Sequence, residues 1–106
     1  MEKLEIKKQA IAGTVESSDC QILIDQNPGK GIEIQLNSSV AKQYGKRILQ
    51  VVQETLNKLG IQDAKVLIED KGALDCTIKA RTIAAVHRAA ERTQNIDWEG
   101  LEAWNV

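Results

Sequence analysis

Two adjacent serines between two acidic side chains are the first residues in this sequence with a potential chemical role. Ser17 and Ser18 follow Glu16 and precede Asp19, in the stretch Gly-Thr-Val-Glu-Ser-Ser-Asp at residues 13–19. A serine nucleophile in an enzyme needs a base within hydrogen-bond distance and usually an oxyanion site. The chain has one histidine, His87, and nothing in the sequence places it near the serines, so we interpret it as a surface or rim histidine. The residues alone therefore disfavour catalysis and predict no catalytic residue.

Metal and nucleotide sites are not indicated either. The two cysteines, Cys20 and Cys76, are far apart, form no Cys-x-x-Cys pair and share the chain with one histidine, which argues against a zinc site or a disulfide framework. Both are predicted to be reduced and buried. There is no Gly-x-Gly-x-x-Gly motif and no Walker lysine. We predict no metal ligand.

Composition excludes several broad classes of function. The 14 basic and 15 acidic side chains give a net charge of −1, so there is no strong field to attract nucleic acid or a membrane surface. The first eight residues are charged and lack the apolar centre of a signal peptide, and no later segment approaches the length of a membrane span. The protein is expected in the cytoplasm. With no Phe, one Tyr and two Trp, its core must be largely aliphatic.

Alternating apolar residues predict the strands that hold the serines. In residues 20–26 the isoleucines alternate with Gln21, Leu23 and Asp25, and in residues 32–36 they alternate with Glu33 and Gln35. The five residues 27–31, Asn-Pro-Gly-Lys-Gly, separate them and are typical of a hairpin loop, so the two strands are predicted to pair antiparallel. Residues 8–16 alternate more weakly and predict a short or edge strand. Residues 64–69 predict a further strand that joins the hairpin.

Two helices complete the predicted elements. Asn37, Ser38 and Ser39 offer N-cap side chains, and Gly60 is suited to ending the helix that follows. The apolar residues of that helix recur every three or four positions: Val40, Tyr44, Ile48, Val51, Val52, Leu56 and Leu59. Alanine-rich residues 80–92 predict a second helix that begins between Asp75 and Lys79, and residues 74–80 fit either a strand or a helix.

These elements predict an α+β fold in a single domain, residues 1–106. We expect a small, mostly antiparallel sheet of about four strands, with two main helices packed on one face. Residues 93–106 hold Trp98 and Trp104 among acidic side chains and are too apolar for a free tail, so we expect them to dock, either on a partner or on the domain's own core.

Three motifs, in the same order along the chain, resemble the acyl carrier protein of citrate lyase, its gamma chain. The matching segments are residues 13–19, residues 34–40 with 42–45, and residues 70–76 with 80–81, and the Trp98-Glu99 pair follows in the tail. The resemblance spans residues 6–92. It implies a non-catalytic carrier subunit of a lyase complex.

The resemblance also implies what Ser17 does. In that family the serine after the glutamate is linked through a phosphodiester to 2'-(5''-triphosphoribosyl)-3'-dephospho-CoA, and a separate transferase attaches the group. That serine corresponds to Ser17, with Ser18 as the less favoured alternative. The thiol of the group bears acetyl and citryl during cleavage of citrate to acetate and oxaloacetate, with the alpha (acyl transferase) and beta (citryl lyase) subunits as partners. A transferase that brings its own base explains serines without a histidine.

Several residues near these motifs are predicted to dock partner proteins. They are Glu16, Asp19, Asp70, Lys71, Gly72 and Trp98. The alternative for the charged ones is simple solvation and turn formation. The basic side chains of the last helix either meet prosthetic phosphates or an acidic partner, or are solvated: Lys79, Arg81, Arg88 and Arg92.

Two other functions remain open. The carrier subunit of malonate decarboxylase is of similar size and uses the same kind of prosthetic group on serine. From a different class, a non-carrier α+β binding module would leave Ser17 unmodified and bind RNA or a peptide. The near-neutral charge and the lack of exposed stacking aromatic residues disfavour RNA.

Overall fold

The computed structural model describes residues 4–91, which form four strands and two helices. The elements are β1 (Ala10–Gly13), β2 (Cys20–Asp25), β3 (Ile32–Ser38), α1 (Ala41–Lys58), β4 (Ala64–Asp70) and α2 (Asp75–Ala89). The strands form one sheet in the order β1-β2-β4-β3. This confirms the α+β class. The predicted docking tail, with Trp98, lies outside the described residues.

The sheet is mixed: two of its three strand pairs are antiparallel, which agrees with a mostly antiparallel sheet, but the predicted hairpin between residues 20–26 and 32–36 is wrong. β2 pairs antiparallel with β1 and with β4, whereas β3 pairs parallel with β4. β2 and β3 are not neighbours because β4 lies between them. The Asn-Pro-Gly-Lys-Gly link instead leads from β2 to β3 at the edge of the sheet beyond β4. Two hydrogen bonds join the end of this link to the start of β4: Gly31 N donates to Asp63 Oδ1 at 2.8 Å, and Ala64 N donates to Gly31 O at 3.0 Å. α1 is thus the crossover between two parallel strands, as such pairs require.

Period-two alternation along the strands places the core on one face of the sheet. The inward residues of the two central strands are fully or almost fully buried: Cys20, Ile22, Ile24, Ala64, Val66 and Ile68. Both helices cover this face with aliphatic side chains: Ile48, Val52, Leu56, Ile78, Ile83 and Val86. The prediction of an aliphatic core is confirmed.

The ends of α1 differ in how well the sequence predicted them. At the C-terminus, Gly60 has φ of +77°, its N–H donates to Asn57 O at 3.1 Å, and Ile61 N donates to Leu56 O at 3.0 Å. This is a Schellman motif, so the predicted helix end is confirmed. At the N-terminus the N-cap is Val40, without a side-chain cap, because Ser38 is the last residue of β3. α2 begins at Asp75, which makes residues 75–80 helical.

Two predictions of exposure are wrong. Cys20 is fully buried as expected, but Cys76 is exposed because it lies in the first turn of α2, on the side away from the core. His87 is only 8% exposed, and its Nδ1 lies 2.8 Å from Ile83 O one turn earlier, so it is a core residue rather than a surface one. Within residues 4–91, neither helix has the length and apolar character needed to cross a membrane.

Candidate functional site

Ser17 lies on the turn between β1 and β2, at one end of the sheet. Glu16, Ser17 and Ser18 are all exposed. Ser18 has φ of +64°, a left-handed conformation that residues other than glycine rarely adopt. The turn is therefore held in a defined shape, and its outermost side chains face solvent.

Asp19 stabilises this turn through hydrogen bonds to its carboxylate. Its carboxylate accepts hydrogen bonds from Thr14 Oγ1 at 2.8 Å and Cys20 N at 2.7 Å, and from Nε and Nη2 of Arg81 at 3.1 and 3.0 Å. Arg81 comes from α2, so a charged pair ties the turn to the helix. The hydrogen bonds from Arg81, and then the one from Thr14, lower the pKa of Asp19 from 3.8 to about 2. The same contact raises the pKa of Arg81.

Gly13 lets the two strands close tightly beside this ion pair. Its φ is +89°, and a Cβ at this position would lie 1.9 Å from Cys20 O and 3.0 Å from Arg81 Cδ. No side chain fits between these atoms unless the backbone moves. The first residue of the 13–19 motif is thus a glycine for steric reasons.

The loop after β4 lies against the serine turn. Ser18 N donates to Lys71 O at 2.8 Å, and Lys71 N donates to Asp19 O at 2.9 Å. These reciprocal backbone bonds join two segments that are far apart in sequence. We call residues 13–19 and 70–74 together the serine platform.

Asp70 organises the second half of the serine platform. The residue is 1% exposed, and its carboxylate accepts hydrogen bonds from Ser38 Oγ at 2.8 Å, Gly72 N at 3.2 Å and Ala73 N at 3.0 Å. A buried carboxylate requires such donors to replace water. Asp70 therefore fixes the path of the chain from β4 into α2.

The structure brings together seven of the residues that the sequence singled out: Glu16, Ser17, Ser18, Asp19, Asp70, Lys71 and Gly72. Glu16, Lys71 and Gly72 are exposed, whereas the carboxylates of Asp19 and Asp70 point into the hydrogen-bond network.

Sequence reasoning missed part of this network. It placed Arg81 on a basic helix face and did not identify Thr14 or Ser38 as donors to the two aspartates. The Arg81 and Ser38 contacts span 62 and 32 residues, so no local spacing reveals them. Thr14 lies only five residues from Asp19, and the signal available for it was a hydroxyl and a carboxylate at the two ends of one short turn.

The site offers a hydroxyl without the means to activate it. The one histidine is engaged with the carbonyl of its own helix, as described above. Within residues 4–91, no group of three or more His, Cys, Asp or Glu side chains could hold a metal ion. The arrangement within residues 4–91 is that of an exposed hydroxyl on a turn that backbone hydrogen bonds hold in place.

Comparisons with known proteins agree with this geometry. The ACP family model described as "Malonate decarboxylase delta subunit (MdcD)" matches residues 7–89. The citrate lyase acyl carrier protein of Streptococcus mutans is 51% identical over 103 residues, which are 97% of this chain and 100% of the relative. That of Lacticaseibacillus casei is 55% identical over 101 residues, or 95% of this chain and 98% of the relative.

A solved structure shares the fold. It belongs to a Pseudomonas malonate decarboxylase hetero-tetramer in complex with malonate. One chain of it superposes with a TM-score of 0.67 at 20% identity, and the match covers 84% of this chain and 92% of that one. At this identity the match supports the architecture and nothing beyond it.

Proposed function

Because this chain belongs to the citrate lyase acyl carrier protein family, whose members are non-catalytic carrier subunits, we propose that Ser17 is its covalent attachment site. The observation that supports the proposal is the exposed Ser17 hydroxyl on a turn whose backbone is fixed from both sides. A phosphodiester needs only an accessible oxygen on this chain, since the transferase supplies the base. The residues present therefore fit the group.

The proposed group is 2'-(5''-triphosphoribosyl)-3'-dephospho-CoA. When bound, it supplies a thiol on a long arm that bears acetyl and citryl while citrate is cleaved to acetate and oxaloacetate. A tethered thiol stays at high effective concentration for each active site it visits. The serine platform contributes a fixed origin for that arm.

Within the serine platform, the proposed roles divide by exposure. Glu16, Lys71 and Gly72 are exposed beside Ser17 and are proposed to contact the transferase and the alpha and beta subunits. Asp19 and Asp70 are proposed to serve the same docking by holding the shape of the surface, because hydrogen bonds occupy their carboxylates.

The tail of residues 93–106 is proposed to dock on a partner subunit. Trp98 is the residue that carries this proposal, since tryptophan is enriched where binding energy concentrates in protein interfaces.

Intact-mass measurement tests the attachment site. The chain is incubated with a transferase that loads citrate lyase acyl carrier proteins, beside Ser17→Ala, Ser18→Ala and the control Ser39→Ala. Ser39 is an exposed serine outside the serine turn. We expect a single prosthetic increment on the wild type, Ser18→Ala and Ser39→Ala, and none on Ser17→Ala. An increment on Ser17→Ala that is lost from Ser18→Ala would move the site by one residue, and an unmodified wild type beside a loaded relative would refute the carrier proposal.

A second candidate is the carrier subunit of malonate decarboxylase, which the family description favours. The higher identity to citrate lyase carriers favours citrate instead. The loaded, acetylated chain should restore oxaloacetate production from citrate when it is added to alpha and beta subunits. Decarboxylation of malonate with the malonate decarboxylase subunits, and no citrate cleavage, would reverse the assignment.

A further inference from the structure

An open groove of about 700 Å³ runs between the N-terminal turns of α1 and α2. Its lining is mainly apolar, with Val40, Tyr44 and Ile48 on one side and Ala73, Leu74 and Cys76 on the other. Binding sites for small organic ligands have volumes of roughly 300–1,000 Å³ and are similarly apolar. The groove is therefore large enough for an extended organic chain.

Two side chains of the groove are unusually exposed for their type. Tyr44 is 50% exposed and Leu74 is 70% exposed. Large apolar side chains grouped on a surface commonly mark a place that another molecule covers. These two flank the groove opening from different helices.

The groove is continuous with the serine platform. Gly72 and Ala73 line it, and the preceding residue, Lys71, is bonded through its backbone to Ser18 and Asp19. A flexible arm attached at Ser17 thus begins one loop away from the groove.

The charges along this path suit an arm that is anionic near its attachment and less polar at its end. Lys71 is exposed between Ser17 and the groove, and Arg47 lines the groove itself. Arg47 pairs with Asp75 at 2.8 Å, with both side chains about half exposed, and such surface pairs contribute little and exchange partners readily. The first turn of α1 contains no acidic residue, and the acidic residue that lines the groove from α2 is Asp75, the partner of Arg47 in this pair.

We propose that the groove between α1 and α2 holds the pantetheine end of the arm attached to Ser17 whenever no partner subunit has taken it. This inference rests on the proposed function. We favour the arm over a free ligand or a second protein as the occupant of the groove because the arm is tethered. A tethered group reaches an effective concentration of the order of millimolar, so even weak apolar contacts hold it in the groove. The groove then shields the arm's end from bulk water.

Cys76 provides a built-in reporter for this proposal. It is exposed and lines the groove, while the other cysteine, Cys20, is fully buried. Alkylation by iodoacetamide, followed by peptide mass measurement, reads Cys76 separately from the arm thiol, which stays on the Ser17 peptide. If the arm occupies the groove roughly 90% of the time, Cys76 should react about tenfold more slowly in the loaded chain than in the unloaded one.

Two leucine variants give the matched comparison. Leu74→Ser removes an exposed wall of the groove and should return the loaded Cys76 close to its unloaded rate. Leu49→Ser changes a less exposed leucine on α1, 37% against 70% for Leu74, that does not line the groove, and should keep the protection. Both residues are exposed, so circular dichroism should show the fold intact in each.

The outcomes separate this inference from the proposed function. A chain that gains the prosthetic mass but shows the same Cys76 rate with and without it overturns the groove proposal and leaves the carrier role standing. Absence of the mass increment contradicts the carrier role, and with it the groove proposal, which needs an attached arm. Protection that depends on protein concentration, or that needs added partner subunits, assigns the groove to another protein and also overturns the proposal.

Discussion

Replacing Asp19 by asparagine should destabilise the domain in a manner that depends on pH. The wild-type carboxylate accepts two hydrogen bonds from Arg81, one from Thr14 and one from the backbone of Cys20. Asparagine keeps one acceptor oxygen but turns an N–H₂ group toward the guanidinium. The charged pair is therefore lost without a large change in volume.

The size of the effect follows from the pKa of Asp19, which folding lowers from 3.8 to about 2. Each pKa unit corresponds to about 1.4 kcal/mol, and because the Arg81 side chain is 41% exposed, solvent screening reduces the contribution of the charged form to about 2 kcal/mol at neutral pH. The sign is that of a depressed acid: the contribution is complete above pH 3.8 and is lost as the pH falls through 2. About half of it should be gone at pH 3.

Urea unfolding followed by circular dichroism at pH 7, 4 and 3 measures this difference. Wild type should exceed Asp19→Asn by about 2 kcal/mol at pH 7 and by about 1 kcal/mol at pH 3. Glu16→Gln, on the same turn but exposed, is the control and should stay within about 0.5 kcal/mol of wild type. A difference that does not change with pH, or no difference at pH 7, would refute the assignment of Asp19 as the charged anchor of the turn.

Three further changes probe the serine platform and its surroundings. Gly13→Ala should cost about 1–3 kcal/mol more than Gly29→Ala, because both have positive φ but only the first places a Cβ 1.9 Å from a backbone oxygen. Asp70→Ala removes the acceptor of three hydrogen bonds, and urea unfolding should show a loss of about 3 kcal/mol. In a thiol titration of the native chain, Cys76 should react at once and Cys20 only on unfolding, since burial raises the pKa of Cys20 to about 12.

Controls and contrary results are available for each of these. Equal stabilities of the two glycine variants would contradict the steric account of Gly13. Asp75→Ala removes an exposed ion pair and should lower the free energy of unfolding by no more than about 1 kcal/mol. If Asp70→Ala lowered it by no more than Asp75→Ala does, Asp70 would not be fixing the path of the chain from β4 into α2. Two fast thiols in the native chain would contradict the burial of Cys20.

Local patterns were sufficient for most of the secondary structure. Alternation predicted β2 and β3, three-and-four spacing predicted α1, and Gly60 marked the end of α1 because that position takes a left-handed conformation. These signals lie within a few residues of one another in the sequence. They can therefore be recognised without knowledge of the tertiary fold.

Strand order was mispredicted because pairing depends on segments that are distant in sequence. The short Pro-Gly link suited a hairpin, but β4 took the position between β2 and β3. The available signal was the long helix α1 between β3 and β4, because a helical connection of that length suits a crossover between parallel strands.

The sequence predicted which residues form the candidate site but not the contacts that hold the serine turn in place. The motifs located Ser17 and the Asp70 loop, which the fold brings together through Lys71. The Asp19–Arg81 pair and the burial of Asp70 depend on how α2 crosses the sheet end, which no spacing encodes. Cys76 and His87 were misplaced for the same reason: the side of α2 that faces the core is set by packing.

The long separation between Ser17 and the groups that hold its turn has a consequence during synthesis of the chain. A ribosome-bound fragment that ends before residue 71 contains the serine but neither Lys71, which bonds the turn, nor Arg81, which binds Asp19. Presentation of the hydroxyl is thus a property of the completed domain. An enzyme that recognises the finished turn would pass over nascent and misfolded copies, so that the proposed prosthetic group would be attached only to chains that have already folded.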